Sequence, residues 1–516
     1  MNYTKSHNLT QPVSGSPNFL LGIALLWGVV ALAVFVFFLT AVGFDDPMSR
    51  LYLVPWALAA GVVIILPTFY LIKKGRFDLF NPLVFAAWSY FFPAFVIGGM
   101  VLAAGLTQPY FLSYIQDDTY NLPLTFVYVI AGYAGLSLGF FIPFGRSIGD
   151  WIYSKLPDWN WSEESIPLPG MILLVLGLAN TLLAFVFGIV GFQKVDEIGA
   201  FDGIIFLLSL FLLEASFLLW VFIFRSNSFT IVHYAIMATL ILIAMGRSLF
   251  QGNRGSLIQF LILFGAAFIF SGKKITSKHY MTGGVLVCVA LVVGMIYGTT
   301  FRQIKGSQER ASITEIGSLV ADTFDNLASG NFDANLSTGF VAIAERLDTL
   351  SSLAVIVSNH EALAPYEELW GIDNNIWVDT ITFFVPRVIW ADKPIPIDTS
   401  KYSDLYFNYS ENAFAMTPIG DLLRNFGPYS IPIGMMILGF ILRIIYSSLV
   451  ENKPFSYWRV TLFFMLLSSV SYEGTYGLII PYLFKVMVVS VLGILIIRLI
   501  VGRTPSGNKI FRSFSR

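Results

Sequence analysis

Residues 203–224 read GIIFLLSLFLLEASFLLWVFIF, and among them only Glu214 carries a charge. An α-helix needs about 20 apolar residues to cross the ~30 Å hydrocarbon core of a bilayer. This run is therefore long enough and apolar enough to span a membrane. Glu214 falls near its middle, and His233 falls in the next apolar run. For both side chains a buried structural hydrogen bond is a simpler interpretation than catalysis.

The whole chain shares this character. Its 516 residues are 56% hydrophobic and only 12% charged, with a mean hydropathy of +0.73, whereas soluble domains carry about 25% charged residues. The formal net charge of -1 indicates no general attraction to nucleic acid. The single cysteine, Cys288, lies in an apolar run, cannot form an intrachain disulfide and is predicted to pack.

Apolar runs of similar length recur, and the sequence predicts an all-α polytopic membrane protein with about twelve spans. The stretch 460–472 is the shortest of them, and the alternative to twelve spans is a count that differs by one around 460–480. The predicted spans are about 19–43, 51–72, 80–104, 123–144, 168–192, 203–224, 228–246, 256–271, 281–300, 429–449, 460–472 and 478–501.

Positive charge orients these spans. Lys73, Lys74 and Arg76 follow the second span, and residues 502–516 form a basic tail, whereas the short loops on the opposite side carry few cations. Because cytoplasmic loops are enriched in Lys and Arg, both termini are predicted to be cytoplasmic. The predicted segments are a tail at 1–18, nine spans within 19–300, an outer loop at 301–428, three spans within 429–501 and the tail at 502–516.

The outer loop 301–428 is long enough to fold into a small helical domain. Residues 339–358 predict an amphipathic helix, and Arg346 flanks its apolar face, where a surface arginine is an equally good interpretation. A second helix is predicted from Thr417 to the stop at Gly427. On it, Asp421 and Arg424 are three residues apart, so Asp421 is either half of an intrahelical pair or a catalytic base.

The loop carries 8 Lys and Arg against 17 Asp and Glu. An anionic ligand would therefore need a local basic pocket. The best candidate is the stretch 384–394, FVPRVIWADKP, in which two prolines stiffen the backbone around Arg387 and Lys393. Trp390 is either a platform for a sugar ring or an interfacial residue, and Asp392 either acts chemically or pairs with Lys393. Guanidinium groups bind phosphate oxygens in bidentate fashion.

Arg254 stands between glycines in GNRG at 252–255, at the outer end of a span. It is either a ligand-binding cation or an anchor to lipid headgroups. Sugar transfer also needs a general base near the acceptor hydroxyl. The sequence does not rank the candidates, which are Asp421, Glu473, Asp392, Glu345, Asp348 and His360. No pattern of His or acidic residues suggests a metal site.

The stretch 384–394 resembles the Pro-Arg-x-x-Trp-Pro-x-Lys-Pro signature of the Wzy-type polymerases, bacterial enzymes that polymerise the oligosaccharide repeat units of O-antigen and exopolysaccharide. Residues 252–255, 345–348 and 417–427 resemble further segments of that family in the same order. The resemblance covers about 245–445. This chain has Ala391 where the family often has proline, and Asp421 where the family usually has glutamate.

The resemblance implies a GT-C-like membrane glycosyltransferase. Such an enzyme transfers a growing glycan from undecaprenyl pyrophosphate onto another lipid-linked repeat unit at the outer face of the bacterial cytoplasmic (inner) membrane. The resemblance implies that the enzyme uses no metal or cofactor. It also implies three partners, which are the lipid bilayer, a chain-length regulator and a flippase of the same pathway. We predict catalytic roles for Arg254, Arg346, Arg387, Asp421 and Glu473, and substrate binding by Trp390, Lys393, Asp392, Arg424 and His360, with the three family arginines at the pyrophosphates.

Two other functions remain open at this point. An O-antigen ligase performs the same chemistry on a different acceptor and tends to carry a functional histidine in the large loop, where His360 is available. A flippase or other transporter of lipid-linked oligosaccharide would place ionisable groups within the spans. In this sequence the polar residues concentrate instead in one outer loop.

Overall fold

The computed structural model describes residues 50–105, 110–159, 161–187, 189, 201–251, 256–273, 276–305, 313–328, 348–383, 385, 387–390, 392–393, 399–409 and 414–501. Of the residues described, 81% are helical and none forms a strand. The prediction of an all-α protein is therefore confirmed for this part of the chain.

Eight of the described helices are long and apolar enough to cross a membrane, which makes the protein a multi-pass membrane protein. Each corresponds to one predicted span. They are α1 (Leu51–Lys73), α2 (Pro82–Ala103), α3 (Asp118–Phe141), α5 (Glu163–Val186), α6 (Asp202–Arg225), α7 (Ile231–Phe250), α15 (Ser430–Leu449) and α17 (Tyr476–Val501).

The remaining helices are shorter or more polar. They are α4 (Pro143–Lys155), α8 (Ser256–Phe270), α9 (Ser277–Lys305), α10 (Ile313–Ala328), α11 (Thr349–Trp370), α12 (Asn375–Thr382), α13 (Thr399–Phe407), α14 (Thr417–Phe426) and α16 (Tyr457–Ser468).

Four of the twelve predicted spans stay predictions. The first, 19–43, lies outside the described residues. Helices α8 and α9 coincide with the spans at 256–271 and 281–300, but α8 is a shorter apolar helix. Helix α16 coincides with 460–472 and has 12 residues, a length of about 18 Å that is too short to cross a bilayer alone. It is buried along almost its whole length.

Glycines on the facing sides of α3 and α15 allow these two helices to approach closely. Helix α3 packs along α15. A Cβ on Gly139 would collide with the backbone oxygen of Met436, and a Cβ on Gly439 would collide with that of Leu136. Small residues at such crossings let membrane helices pack backbone to backbone, where van der Waals contact replaces the missing hydrophobic driving force.

The helices of the loop 301–428 pack onto the ends of the membrane-sized helices. Helix α11 contacts α3 and α14. The Ser358 hydroxyl accepts a hydrogen bond from the backbone N–H of Gln116 at 2.8 Å, and Tyr110 donates to the carbonyl of Phe407 at 2.6 Å. The loop domain is thus attached to the membrane helices by polar contacts as well as by packing.

Helix α11 differs from the predicted helix at 339–358. Its described part begins at Thr349 and runs to Trp370, while residues 339–347 lie outside the described part of the chain. The prediction of a single apolar face is wrong, because Ser351, Ser352 and Val355 are buried together with Leu350. The helix is enclosed on all sides where it enters the domain. Tertiary packing, rather than amphipathicity, therefore places it.

We expect Gly139→Ala to destabilise the protein. The new methyl group has no space against the backbone of α15, and overpacking of this kind costs about 1–3 kcal/mol. Thermal unfolding of the purified protein in detergent measures the change. Gly265→Ala is the matched control, because a Cβ there meets nothing within 4 Å. Equal unfolding temperatures for the two variants would contradict the close α3–α15 packing.

A pH dependence is expected from Asp348, which accepts a hydrogen bond from the backbone N–H of Ser351 at 3.1 Å and caps α11. Burial raises its pKa from 3.8 to about 7. Between these values the folded state holds a proton that the unfolded chain has lost, so stability falls as pH rises through this window.

Replacing Asp348 with Asn keeps a capping acceptor and removes the titration. The unfolding temperature of Asp348→Asn should therefore vary less between pH 4 and pH 7 than that of the unmodified protein. The difference between the two curves isolates this one group. Parallel curves over the window would show that Asp348 is ionised in the folded state.

Candidate functional site

The candidate site forms where the first turn of α17 meets α12 and α14. Gly477 in that turn makes the contact possible, because a Cβ there would lie 3.0 Å from Cα of Ile376 and 3.4 Å from Oδ2 of Asp379. The backbone N–H of Gly477 donates a hydrogen bond to Oδ2 of Asp421 at 3.1 Å. Because Gly477 has no side chain, α12, α14 and the first turn of α17 can come into direct contact there.

A buried ionic network lies on one side of this point. The Arg424 guanidinium donates to Oε2 of Glu367 at 2.9 Å, to Oδ1 of Asp421 at 3.2 Å and to the carbonyl of Ile372 at 2.9 Å, and it also contacts Asn375. The side chains of Arg424 and Asp421 are fully buried. A guanidinium has several donors in a fixed plane, so one side chain joins three segments of the loop domain.

Neighbouring side chains complete the network. Tyr406 donates to Oε1 of Glu367 at 2.7 Å, and Asn425 donates to Oδ1 of Asp421 at 3.1 Å. Burial raises the pKa of Glu367, and Arg424 opposes that rise. For Arg424 itself, burial lowers the pKa, but the two carboxylates outweigh it and hold the pKa above its usual value. The network thus keeps the arginine charged.

A cluster of cations lies on the other side. It consists of Arg387, Lys393 and Lys485, and we call it the basic cluster. Burial lowers the pKa of Lys393, and the positive charges of Lys485 and Arg387 lower it further. Asp379 acts in the opposite direction on Lys393. Lys393 is therefore close enough to Arg387 and Lys485 to be repelled by both, with the acids Asp379 and Asp392 beside it. An anion placed among them would relieve that repulsion.

Packing and hydrogen bonding hold the basic cluster. The Lys393 ammonium donates to the carbonyl of Val385 at 3.1 Å. The Lys485 ammonium lies 5.8 Å from the centre of the Phe383 ring, and Phe383 packs edge-on against Phe484 at 5.5 Å. Aromatic contacts therefore fix the loop that carries Arg387 against the helix that carries Lys485.

The turn between the two loop cations is apolar and exposed. Val388, Ile389 and Trp390 are 49%, 78% and 40% exposed. Three consecutive exposed apolar side chains beside a set of charges suit a ligand or surface with both apolar and anionic parts. Trp390 has the exposed ring that stacking on a sugar requires.

Eight of the ten predicted site residues divide into three groups. Arg387 and Lys393 come together, the backbone carbonyl of Trp390 accepts a hydrogen bond from the N–H of Lys393 at 3.2 Å, and Asp392 is exposed beside them. Asp421 and Arg424 lie in the buried network, which confirms the predicted pair and gives Asp421 no exposed surface. Arg254 and Arg346 lie outside the described residues, so the proposed meeting of three arginines stays a prediction.

The other two predicted residues lie apart from the buried network. Glu473 has an exposed side chain, and its backbone carbonyl accepts from the N–H of Thr417 at 3.3 Å. His360 is half-buried, with Nδ1 3.1 Å from the carbonyl oxygen of Val357. Among the described residues, no group of three or more His, Cys, Asp and Glu side chains could hold a metal ion.

Sequence reasoning missed three residues of the site: Lys485, Asp379 and Glu367. A signal was present for Lys485, because a lysine within an apolar span is costly and usually has a task. Asp379 stands among apolar residues on α12, but nothing in its surroundings in the sequence points to the basic cluster. Glu367 reaches Arg424 only through tertiary contact.

No protein-family model, curated protein or solved structure matches this chain. The resemblance of residues 384–394 to the polymerase signature therefore stays a prediction.

Removing the charge of Arg424 should destabilise the protein strongly. Arg424→Met leaves two buried carboxylates without their cation, and breaking a buried pair in this way costs about 3–5 kcal/mol. Arg146→Met is the matched control, because Arg146 lies 3.8 Å from Asp150 and from Glu451 with 40% of its side chain exposed. Exposed pairs contribute about 0–1 kcal/mol. Thermal unfolding in detergent measures the stability of both variants. Similar losses of stability in Arg424→Met and Arg146→Met would contradict the role of the buried network.

Proposed function

We propose that the protein is a membrane glycosyltransferase that polymerises lipid-linked oligosaccharide repeat units. It would transfer a growing glycan from undecaprenyl pyrophosphate to a sugar of a second lipid-linked unit, at the outer face of the bacterial cytoplasmic membrane. The observation that carries the proposal is the basic cluster of Arg387, Lys393 and Lys485, which joins the loop to a membrane-spanning helix.

The charge of the cluster supports a pyrophosphate ligand. Three cations stand beside two acids, the buried Asp379 and the exposed Asp392, whereas the loop as a whole is acidic. The leaving pyrophosphate gains negative charge as the glycosidic bond breaks. Cations already fixed at that point stabilise the developing charge without reorganising, which is the largest contribution in many enzymes.

The position of Lys485 supports a ligand held in the membrane. It lies nine residues after the start of α17, roughly 13 Å along the helix axis. A soluble sugar nucleotide has no need of a cation on a membrane-spanning helix. A phosphate attached to a polyprenol remains at the level of the headgroups and can approach such a cation from the bilayer, while the exposed apolar turn at 388–390 adds contact area.

The proposed step is a substitution at the anomeric carbon of the donor glycan. The bond from that carbon to the pyrophosphate oxygen breaks, and the electron pair leaves with undecaprenyl pyrophosphate. A new bond forms to the acceptor hydroxyl oxygen, whose proton passes to a carboxylate. We assign that proton to Asp392, the exposed acid beside Lys393. Asp379 would position the lysines, because it is buried and interacts with both.

The orientation and partners belong to the same proposal. The distribution of Lys and Arg between short loops supports cytoplasmic termini and an outer loop domain. A polymerase at that face would receive its units from a flippase and would act with a chain-length regulator.

The alternative of a transporter has one observation in its favour. Glu214, Arg247 and Lys485 are ionisable residues within membrane-sized helices. However, Glu214 is fully buried, and a Cβ on Gly493 would lie 2.5 Å from its Oε2 atom. This carboxyl is packed against the backbone of α17 and does not line an open path.

The test is polymer synthesis by the purified protein from lipid-linked repeat units. Arg387→Ala and Lys485→Gln should each lower the rate of transfer by about 100-fold or more, as expected when one preorganised charge at a leaving group is lost. Lys401→Gln, an exposed lysine of the same loop domain, is the control and should retain the rate. Asp392→Asn should lower the rate at every substrate concentration.

The products separate the candidate functions. A ladder of many repeats supports a polymerase, transfer to lipid A core supports a ligase, and movement of the lipid-linked unit across the bilayer without a new bond supports a transporter. Normal polymer from both Arg387→Ala and Lys485→Gln would remove the basic cluster from the site.

A further inference from the structure

Helix α12 has its polar and apolar faces reversed relative to a helix in water. Its sequence is NIWVDTIT, and the one charged residue in it, Asp379, is buried. The exposed face consists of three apolar side chains, Trp377, Val378 and Ile381, which are 58%, 38% and 67% exposed. A surface helix of a soluble domain turns its charged side chains to water and its apolar side chains to the core. The exposed face of α12 is therefore unsuited to water.

Helix α13 of the same loop has the usual arrangement. It buries Tyr402, Tyr406 and Phe407 and exposes Lys401. This is the pattern of a helix that faces water, because its aromatic side chains pack inward and its lysine is solvated. The reversed faces are therefore a property of α12 and not of the loop domain as a whole.

Contacts with α17 fix where α12 lies. Gly477, in the first turn of α17, meets the start of α12, because a Cβ on Gly477 would lie 3.0 Å from Cα of Ile376. Seven residues later in each segment, the rings of Phe383 and Phe484 are in edge-on contact at 5.5 Å. Seven residues advance a helix by about 10 Å. The two helices therefore run side by side in the same direction over the length of α12.

The part of α17 beside α12 is the part that enters the bilayer. Arg498 is an exposed cation near the far end of α17, and charged side chains stay out of the hydrocarbon unless they are paired. A spanning segment of about 20 residues that ends before Arg498 begins near Leu478. The one charged residue between them, Lys485, interacts with Asp379 of α12. Helix α12 is therefore level with the edge of the membrane.

The exposed face of α12 is continuous with the exposed faces of the membrane-sized helices. The Trp377 ring contacts the exposed Phe426 ring at 5.8 Å, and the exposed Tyr429 follows at the start of α15. On α17, Phe484 and Val488 are exposed below the contact with α12. Aromatic side chains are enriched where membrane helices meet the lipid headgroups. The surface around α12 thus has the composition of a membrane boundary.

We propose that α12 is inserted into the bilayer beside α17, with Trp377, Val378 and Ile381 in contact with lipid acyl chains just below the headgroups. The loop 301–428 is then a domain with one helix immersed in lipid, and not a domain that stands wholly in water. Lipid is the occupant that the geometry favours, because the face continues the lipid-facing surface of α17 and carries no charge. A second protein on this face would have to displace that lipid.

The test uses the full chain in phosphatidylcholine nanodiscs, with its single cysteine replaced by Cys288→Ala. Spin labels are attached to Val378→Cys and, separately, to Ile381→Cys. Val488→Cys on α17 is the lipid-facing control, and Lys401→Cys on α13 is the water-facing control; all four side chains are exposed. Power-saturation EPR measures how often each label collides with oxygen, which concentrates in lipid, and with a polar nickel chelate, which stays in water.

We expect both α12 labels to behave like the label on α17. Their collisions with oxygen should be frequent, and their collisions with the nickel chelate should be about tenfold rarer than at position 401, because a polar solute is excluded from hydrocarbon. Values at both α12 positions that match position 401 would overturn the proposal by placing the face in water. Rare collisions with both reagents would also overturn it, because protein would then cover the face.

The outcome is independent of the enzymatic test. The inference concerns the position of α12 relative to lipid and does not rest on the transfer reaction proposed above, and the EPR measurement uses no substrate. Both labelled positions lie on exposed side chains, so the labels require no repacking of buried side chains. A lipid-immersed α12 in a protein that makes no polymer would support the insertion and contradict the transfer reaction.

Discussion

The buried charge of Arg424 is the constraint on which the arrangement of the loop domain depends. A guanidinium without exposed surface needs acceptors from the protein, and here they come from Glu367, Asp421, Asn375 and the backbone of Ile372. These acceptors belong to three different segments. Satisfying one cation therefore brings α11, α12 and α14 together, and the Asp421–Gly477 hydrogen bond attaches the set to α17.

The basic cluster follows from that attachment. Once α12 rests on the bare backbone of Gly477, Asp379 and Phe383 are carried to the face of α17 that bears Phe484 and Lys485. The proline-stiffened stretch after α12 then has little freedom, and Arg387 and Lys393 reach the same place. Arg387 and Lys393 therefore meet Lys485 because two contacts fix α12 and α14 against α17. One is the close approach of α12 to Gly477, and the other is the buried Arg424 network.

Sequence patterns predicted the features that depend on local physics. Apolar runs located eight membrane-sized helices, and Gly427 ended α14 where the pattern placed its stop. The three-residue spacing of Asp421 and Arg424 predicted their pair, but the two further side-chain partners of Arg424, Glu367 and Asn375, come from segments far away in the chain. The all-round burial at the start of α11 was equally beyond prediction, because surrounding helices cover serines that the pattern assigned to water. For Arg254 and Arg346 the outcome lies outside the described residues.

The short, enclosed helix α16 has a consequence for how the chain enters the bilayer. It packs against α6, α15 and α17, and its Arg459 is buried, donating to the carbonyl of Pro454 at 2.8 Å. A helix of about 18 Å with an arginine in its first turn gains little from contact with lipid acyl chains. The insertion machinery would release it into the membrane only together with its neighbours. Biogenesis of the last third of the protein should then be a concerted event that waits for α17 to emerge from the ribosome.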